Sequence, residues 1–144
     1  MPVFVDTHVL VYARDAGESV KQPKARAWLE HLWRARSGRL SQQVLSEYYV
    51  TVTRKLDPGL PPADARAEVR DLSAWRPVAI DIDVIEAAWA LEDAHALSFW
   101  DALIIAAAQT ARCDVLLSED LTDGESYGGV TVVSPFTHQP GAGV

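Results

Sequence analysis

Short apolar runs separated by long segments of helical periodicity constrain the fold of this chain most strongly. The runs at residues 3–5, 115–117 and 130–133 have the length and composition of buried strands. Between the first two runs, apolar residues recur every three or four positions, as in amphipathic helices. Because strands joined through helices usually pair in parallel, the pattern predicts an α/β fold. We expect a three-layer α/β/α sandwich around a central, mainly parallel sheet.

Turn and capping residues divide the segments between these runs. Pro23 is a good first helical residue and Gly38 a good helix terminator, and residues 83–86 (Asp-Val-Ile-Glu) fit a capping box that opens a helix. Two further short strands are predicted near 39–40 and 78–80. The predicted helices cover about residues 7–14, 23–36, 42–55, 63–74, 83–95 and 98–111.

The length of 144 residues suits a single domain. We predict that residues 1–137 form this domain and that residues 138–144 form a flexible tail. The start of the chain lacks the features of a signal peptide, and the apolar run 102–108 is too short to cross a bilayer, so a cytoplasmic location without membrane contact is expected. The single cysteine, Cys113, rules out an internal disulfide and is assigned to packing.

The charge of the chain bears on its partners. With 20 acidic and 13 basic residues, the formal net charge is −7, which argues against nonspecific binding of nucleic acid through a basic face. It does not exclude a nucleic-acid substrate, because several acids could serve one metal site, where bound cations reverse the local charge. Contacts to phosphate would then come from a few local basic residues, for which the candidates are Arg14, Arg54, Lys55 and Arg112.

Carboxylates stand at the junctions between elements. Asp6 ends the first apolar run, Asp101 precedes an alanine-rich run, and Asp120 and Asp123 follow the run 115–117, while Glu47 lies in a predicted helix. If the first two runs, 3–5 and 115–117, are neighbouring parallel strands, their acids meet at the carboxyl edge of the sheet, where open α/β sheets bind ligands. Two carboxylates about 4 Å apart repel by roughly 4 kcal/mol at an effective dielectric constant near 20. Protonation or a bound metal would relieve this repulsion.

Each acid also has a structural alternative. Asp6 could cap a helix, Asp101 could belong to a capping box opened by Ser98, Asp120 could stabilise a turn, and Glu47 could be a solvated helix residue. Other α/β enzymes fit less well. A receiver domain needs paired acids after its first strand and a late lysine, and a phosphatase of the haloacid dehalogenase type needs Asp-x-Asp where this chain has Asp-Thr-His. The four histidines have no zinc-ligand spacing, and no nucleotide-binding loop is present.

Four segments carry a family resemblance. They are residues 4–10 (Phe-Val-Asp-Thr-His-Val-Leu), 45–48 (Leu-Ser-Glu-Tyr), 99–104 (Phe-Trp-Asp-Ala-Leu-Ile) and 117–121 (Leu-Ser-Glu-Asp-Leu). In this order they resemble the four acidic motifs of PIN-domain ribonucleases, and most of all those of VapC-type toxins of toxin–antitoxin pairs. The resemblance extends from the first strand to Phe136, nearly the whole chain.

The resemblance implies a catalytic acidic quartet of Asp6, Glu47, Asp101 and Asp120. It implies that the metal ligands are Asp6, Asp101 and Asp120, with Asp123 in the place of a fifth acid found in some members.

The resemblance also bears on the neighbours of these acids. Thr7 and Ser118 correspond to small hydroxyl residues that hydrogen-bond beside the first and last acids. Glu119 lies off the motif and is expected to point elsewhere. The role of His8 stays open, and a surface or packing role is expected for it.

The implied chemistry is hydrolysis of RNA. Oxygen-only ligands select hard cations, so Mg²⁺ is the expected cofactor, with Mn²⁺ able to replace it. Water attack on the phosphodiester would leave a 5′-phosphate and a 3′-hydroxyl. The alternative is a PIN-like protein-binding module without catalytic activity. The RNA target, its cleavage sequence and the number of ions remain open.

VapC-type toxins usually form homodimers and are silenced by a small antitoxin that lies in a groove beside the active site, and the resemblance implies the same partners here. The helix 23–36 would form one wall of such a groove. It carries Trp28, expected in the core, and Trp33, expected nearer the edge of the buried stripe.

Overall fold

A computed structural model describes residues 1–141 of the chain. Its helices are α1 (Thr7–Arg14), α2 (Lys21–Ala35), α3 (Gln42–Arg54), α4 (Pro62–Leu72), α5 (Ile82–Ala94) and α6 (Phe99–Thr110), with a 3₁₀ turn at Ser73–Trp75. Its strands are β1 (Val3–Val5), β2 (Gly38–Arg39), β3 (Val115–Leu117), β4 (Ser126–Tyr127) and β5 (Val130–Val133).

The five strands form one sheet in the order β2-β1-β3-β5-β4. All neighbours are parallel except β4 and β5, which form an antiparallel pair. Helices cover the sheet, and the predicted three-layer α/β/α sandwich with a mainly parallel sheet is confirmed. In the register of the central pair, Val5 lies opposite Leu117, so the residues after them, Asp6 and Ser118, leave the sheet side by side.

The core lies between the sheet and the helices. Strands β1 and β3 bury nearly every side chain, as expected for central parallel strands covered on both faces. Helix α6 buries seven consecutive residues, 102–108, four of them alanine, so that it can lie close to its neighbours. Trp28 is fully buried and Trp33 is 42% exposed, which confirms the prediction for both tryptophans.

Several predicted boundaries were wrong. Helix α2 ends at Ala35 with Arg36 in the left-handed conformation, and Gly38 instead lies in β2, where a Cβ atom would stand 2.5 Å from the Trp75 ring. Helix α5 is capped by Asp81, whose side chain accepts a hydrogen bond from the Val84 amide, so the capping box at 83–86 does not open it. The expected strand at 78–80 is reduced to one parallel bridge, between Ser41 and Val78.

The C-terminal segment packs on α2 up to the end of the described residues. The Trp28 indole N–H donates hydrogen bonds to the carbonyl oxygens of Pro135 (3.2 Å) and His138 (3.0 Å). Residues 142–144 of the predicted tail lie outside the described residues. Within residues 1–141, none of the helices combines the length and the apolar character needed to cross a membrane.

Candidate active site

The carboxyl edge of the central strands carries the candidate site. The backbone amide of Asp6 donates to the carbonyl of Leu117 (3.0 Å), and the amide of Ser118 donates to that of Val133 (3.1 Å). The ends of β1, β3 and β5 are therefore held together at one edge. Three helices begin at this edge, because α1 follows β1 directly, α3 follows β2, and α6 returns to β3 through only residues 111–114. The first turn of α6, with Asp101, is thus placed at the same edge.

Asp6 is the most buried acid of the site, with 7% of the residue exposed. One carboxylate oxygen accepts the Thr7 amide (2.8 Å), so Asp6 does cap α1, and the other accepts the Ser118 hydroxyl (2.9 Å). Burial raises the pKa of the Asp6 carboxyl above its ordinary value, and the His8 ring and these two hydrogen bonds oppose that rise. Asp6 therefore combines a structural cap with a carboxylate that is costly to ionise without a nearby cation.

Ser118 joins the two strand ends through its hydroxyl. It is fully buried, donates to Asp6, and accepts from the backbone amide of Asp120 (3.2 Å). The small hydroxyl side chain can do both only because it follows β3 directly and faces the end of β1. It positions the Asp120 backbone next to Asp6.

Glu47 reaches the site through Thr7. The Thr7 hydroxyl donates to one Glu47 oxygen (2.8 Å), and the Gln43 amide donates to the other (3.0 Å). The prediction that Glu47 lies off the main apolar stripe of α3 is confirmed, because Val44, Tyr48 and Val52 are buried and Glu47 is exposed. Glu47 is therefore tied to the first turn of α1 beside Asp6.

Asp101 is half-buried in the first turn of α6. The Ser98 hydroxyl accepts its backbone amide (3.1 Å), so Ser98 caps the helix as predicted. Within residues 1–141, the Asp101 carboxylate makes no hydrogen bond or ion pair. It is free to accept an external donor or cation.

Asp123 instead has protein partners. It accepts the backbone amide of Ser134 (2.9 Å) and contacts the His138 ring at 3.0 Å. The His138 contact and the Ser134 hydrogen bond lower the pKa of the Asp123 carboxyl. These contacts hold it to the C-terminal segment, and its role as an additional metal ligand stays a prediction.

His8 has polar contacts that the sequence did not predict. Nδ1 lies 3.2 Å from Asp120 and 3.7 Å from Asp6, and Nε2 accepts the backbone amide of Glu119 (2.8 Å), beside the edge contact of the ring with Tyr12. One possible ligand atom from each of Asp6, His8 and Asp120 lies within 4.8 Å of the others. In the described part of the chain, the other predicted acids do not join this group. The available signal was the position of His8 two residues after Asp6, in the first turn of α1.

Glu119 points away from these acids, as predicted. It forms an ion pair with Lys21 (2.9 Å) and accepts a hydrogen bond from the Tyr12 hydroxyl. Burial tends to raise the pKa of the Glu119 carboxyl, but the hydrogen bonds from Tyr12 and Lys21 lower this pKa below its ordinary value. This acid is neutralised within the protein.

The basic residues proposed for RNA contact occupy different places. Arg14 pairs with Glu68 of α4. Arg54 and Lys55 are exposed at the end of α3, and Lys55 borders a shallow depression that also includes Glu47. Arg112 lies between α6 and β3, and therefore at the opposite edge of the sheet from the acids. Contact of these residues with RNA stays a prediction.

A groove of about 480 Å³ lies between α1, α2, α3 and α4. Its lining residues are Leu10, Ala13, Arg14, Arg26, Leu29, Trp33, Tyr48, Glu68, Asp71 and Leu72. Trp33 stacks at a tilt on Trp75, with 4.9 Å between ring centroids, at one border of the groove. The groove therefore combines apolar walls with charged residues of both signs.

Comparisons with known proteins identify a matching family and similar folds. The model of the PIN domain family matches residues 3–122. A toxin–antitoxin complex from Klebsiella pneumoniae is similar in structure, with a TM-score of 0.66 and 21% identity over 94% of this chain and 98% of that one. No curated protein matches the sequence.

Two further solved structures share the fold. VapC20 of Mycobacterium tuberculosis, described as a toxin that cleaves the sarcin–ricin loop, has a TM-score of 0.61 and 24% identity over 90% of this chain and 98% of its own. VapBC2 of Rickettsia felis, bound to a promoter DNA fragment, has a TM-score of 0.60 and 15% identity over 93% of this chain and 98% of that one.

Proposed function

Because the chain belongs to the PIN-domain family, we propose that it is a divalent-metal-dependent endoribonuclease that acts as the toxin of a toxin–antitoxin pair. The observation that carries the proposal is the position of Asp6, a buried carboxylate with a raised pKa that faces Asp120 without a lysine or arginine partner in residues 1–141. The similar toxin structures support the toxin assignment through their shared fold.

The donor set fits a hard cation. Asp6 and Asp120 present oxygen atoms at one edge, and Asp101 has a carboxylate without protein partners in the described residues. Mg²⁺ favours oxygen ligands and is usually held by one or two carboxylates together with substrate phosphate and water, and Mn²⁺ accepts similar sites. We assign Asp6, Asp101 and Asp120 as the ligands, with Asp123 and Glu47 nearer the rim.

The side chains of the site then have separate tasks. A bound divalent ion would supply charge neutralisation at the phosphate and acidification of a water molecule. Ser118 and Thr7 orient Asp6 and Glu47 by hydrogen bonds, so neither acid has to reorganise when substrate arrives. Glu47, exposed at the rim, or Asp123 would help to hold a second ion recruited with the substrate. Attack by water predicts products with a 5′-phosphate and a 3′-hydroxyl.

Cleavage of defined RNA by the purified protein tests the assignment. Activity with Mg²⁺ or Mn²⁺ should be abolished by a chelator and by Asp6→Asn or Asp101→Asn, while circular dichroism shows an intact fold. Products should accept a ligation reaction that needs a 5′-phosphate. Full activity in either variant would remove that residue from the site. End-mapping of RNA from cells that express the protein would identify the target.

The alternative is a PIN-like protein-binding module without catalytic activity. A preformed metal site predicts that Mg²⁺ or Mn²⁺ raises the melting temperature, because a ligand that binds only the folded state stabilises it. A melting temperature unchanged by either ion, together with absent cleavage, would favour the alternative. The assignment of 1–137 as one nuclease domain, the homodimer and the cytoplasmic location are parts of the same proposal.

We propose the groove bordered by Trp33 as the site of the antitoxin. Its apolar walls suit one face of a helix, and the exposed Asp71 suits a basic side chain on it. Trp33 is exposed enough to be covered by a partner, whereas Trp28 on the same helix is fully buried. The two tryptophans therefore provide a matched pair of positions.

The antitoxin is expected to be the small protein encoded beside the toxin. Trp33→Ala should weaken binding of the antitoxin, and so its neutralisation of the toxin, by about 2 kcal/mol or more, as is typical of an aromatic residue at the centre of an interface. The rate of RNA cleavage should stay within about twofold of that of the unsubstituted protein. Binding of the antitoxin to each variant by calorimetry, with cell growth as the second readout, measures the effect. Trp28→Phe, which changes the core, serves as the control for altered packing. Unchanged antitoxin affinity in a folded Trp33→Ala variant would exclude this groove.

A further inference from the structure

Both nitrogens of the His8 ring lie close to polar groups, and Nε2 forms a hydrogen bond. Nε2 accepts the backbone N–H of Glu119 at 2.8 Å, and Nδ1 lies 3.2 Å from Oδ2 of Asp120 and 3.7 Å from Oδ2 of Asp6. The His8 side chain is 18% exposed, and that of Asp120 is 63% exposed. A shielded ring therefore holds a carboxylate that is otherwise open to solvent.

The Glu119 amide determines where the ring carries its proton. An amide N–H can only donate, so Nε2 must keep its lone pair free to accept, and a neutral ring then carries its one proton on Nδ1. Nδ1–H faces the two carboxylates as a donor and has no lone pair for a metal. One possible ligand atom of His8 lies within 4.8 Å of one from each acid, but the hydrogen bond that Nε2 accepts argues against His8 as the third ligand.

Asp120 depends on this contact. Its backbone amide is held by the Ser118 hydroxyl, but in the described residues His8 is the one side chain that contacts its carboxylate. Asp120 and Asp6 repel each other when both are ionised, and solvent around Asp120 would draw it outward. A donor between them opposes both effects.

We propose that His8 is a positioning residue that holds Asp120 towards Asp6 through Nδ1–H, so that the two carboxylates are oriented before a divalent ion binds. This inference rests on the proposed function, since the ion is the one that the nuclease uses. It differs from simple packing, because an edge contact such as that of His8 with Tyr12 does not require a donor at Nδ1. It also differs from metal ligation, which requires Nδ1 without a proton.

Two isosteric substitutions separate the two nitrogens. The amide nitrogen of asparagine can occupy the place of Nδ1, whereas the amide group of glutamine reaches the place of Nε2. His8→Asn keeps the donor to Asp120 and loses the acceptor for Glu119. His8→Gln keeps the acceptor and loses the donor, and His8→Ala loses both.

Calorimetric titration with Mg²⁺, without RNA, measures the effect. We expect His8→Gln and His8→Ala to weaken Mg²⁺ binding by about tenfold or more, as is typical when a group that orients a metal ligand is removed. We expect His8→Asn to bind Mg²⁺ within about threefold of the unsubstituted protein. Equal affinity in all variants, or an affinity retained by His8→Gln and lost by His8→Asn, would overturn the positioning role.

Nitrogen NMR of the His8 ring gives a second readout, independent of any substitution. At about pH 8 the proton should be on Nδ1 both without and with Mg²⁺. A proton on Nε2, or its loss from Nδ1 on addition of Mg²⁺, would show that His8 is a ligand or is oriented differently.

These outcomes separate the inference from the nuclease proposal. RNA cleavage by the unsubstituted protein together with identical Mg²⁺ affinity in all His8 variants would overturn the inference alone. The expected division between His8→Asn and His8→Gln without any RNA cleavage would overturn the nuclease proposal alone. Absence of Mg²⁺ binding by the unsubstituted protein would overturn both.

Discussion

Asp6 and Glu119 follow adjacent strands, and the protein treats their charges in opposite ways. Glu119 is paired with Lys21 and Tyr12, and the pKa of its carboxyl is lowered. Asp6 is more deeply buried, and the pKa of its carboxyl is raised. In the described residues, no lysine or arginine forms an ion pair with Asp6 or Asp120. Glu119 is therefore neutralised by partners within the fold, whereas Asp6 has no lysine or arginine partner there and can bind an external cation.

The largest expected effect separates the adjacent acids Glu119 and Asp120. Asp120→Asn should lower the rate of metal-dependent RNA cleavage by about a thousandfold or more, because a bound metal ion lowers the activation free energy by several kcal/mol. Glu119→Gln should change the rate by about twofold at most. Single-turnover cleavage rates at saturating Mg²⁺ measure both. A loss in Glu119→Gln as severe as that in Asp120→Asn would show that the two acids have been assigned the wrong way round.

Proton release should accompany metal binding. The metal-free site should hold a larger fraction of a proton than ordinary carboxyl pKa values imply, because burial raises the pKa of Asp6 although His8 and the hydrogen bonds from Ser118 and Thr7 oppose the rise. Mg²⁺ or Mn²⁺ added near pH 6 should displace it. Calorimetry in buffers of different ionisation enthalpy measures the release, and identical heats in all buffers would contradict it.

The stability of the metal-free protein should follow the sign of the Asp6 shift. Because the pKa of Asp6 in the folded state is raised above 3.8, its protonated form favours folding, and this contribution is lost as the pH rises through the folded-state pKa. The Asp6→Asn variant cannot ionise at this position, so it does not lose this contribution to stability as the pH rises. The free energy of unfolding of Asp6→Asn relative to the unsubstituted protein should therefore increase with pH above about 4. Urea unfolding at a series of pH values measures the difference, and a difference that falls with pH would contradict the burial argument.

The sequence predicted the parts of the structure that local patterns determine. The three apolar runs became β1, β3 and β5 with the expected bounds, and the Asp6–Ser118 contact follows from parallel pairing of the first two. The hairpin of β4 and β5 was missed, although Gly128 and Gly129 form a two-residue turn with positive φ at both positions, which is a readable signal.

Other parts depend on the tertiary structure. The ion pair of Glu119 joins it to Lys21, which is 98 residues away in the chain, and no local pattern predicts it. The direction of the His8 ring depends on the Glu119 amide, which is brought near only when β1 and β3 pair. Element types could therefore be predicted, whereas the division between neutralised and unneutralised acids required the structure.

The smallest expected effect concerns the neutralised acid. Lys21→Met removes the cation from Glu119 and should leave Mg²⁺ affinity and the cleavage rate unchanged within about twofold, because Lys21 lies outside the metal site. It should lower the melting temperature slightly at pH 7. The pKa of Glu119 is lowered from 4.5, so the stability that it contributes is present above pH 4.5 and is lost as the pH falls through the folded-state pKa. The difference in melting temperature between Lys21→Met and the unsubstituted protein should accordingly shrink as the pH is lowered below 4.5.

The Glu119→Gln variant provides the control, because it has no charge for Lys21 to pair with. Adding Lys21→Met to it should change the melting temperature only through lost packing over Tyr12. If Lys21→Met instead reduced Mg²⁺ affinity strongly, the two acids would be coupled across the His8 contact with the Glu119 amide, and the division between a neutralised and an unneutralised acid would fail.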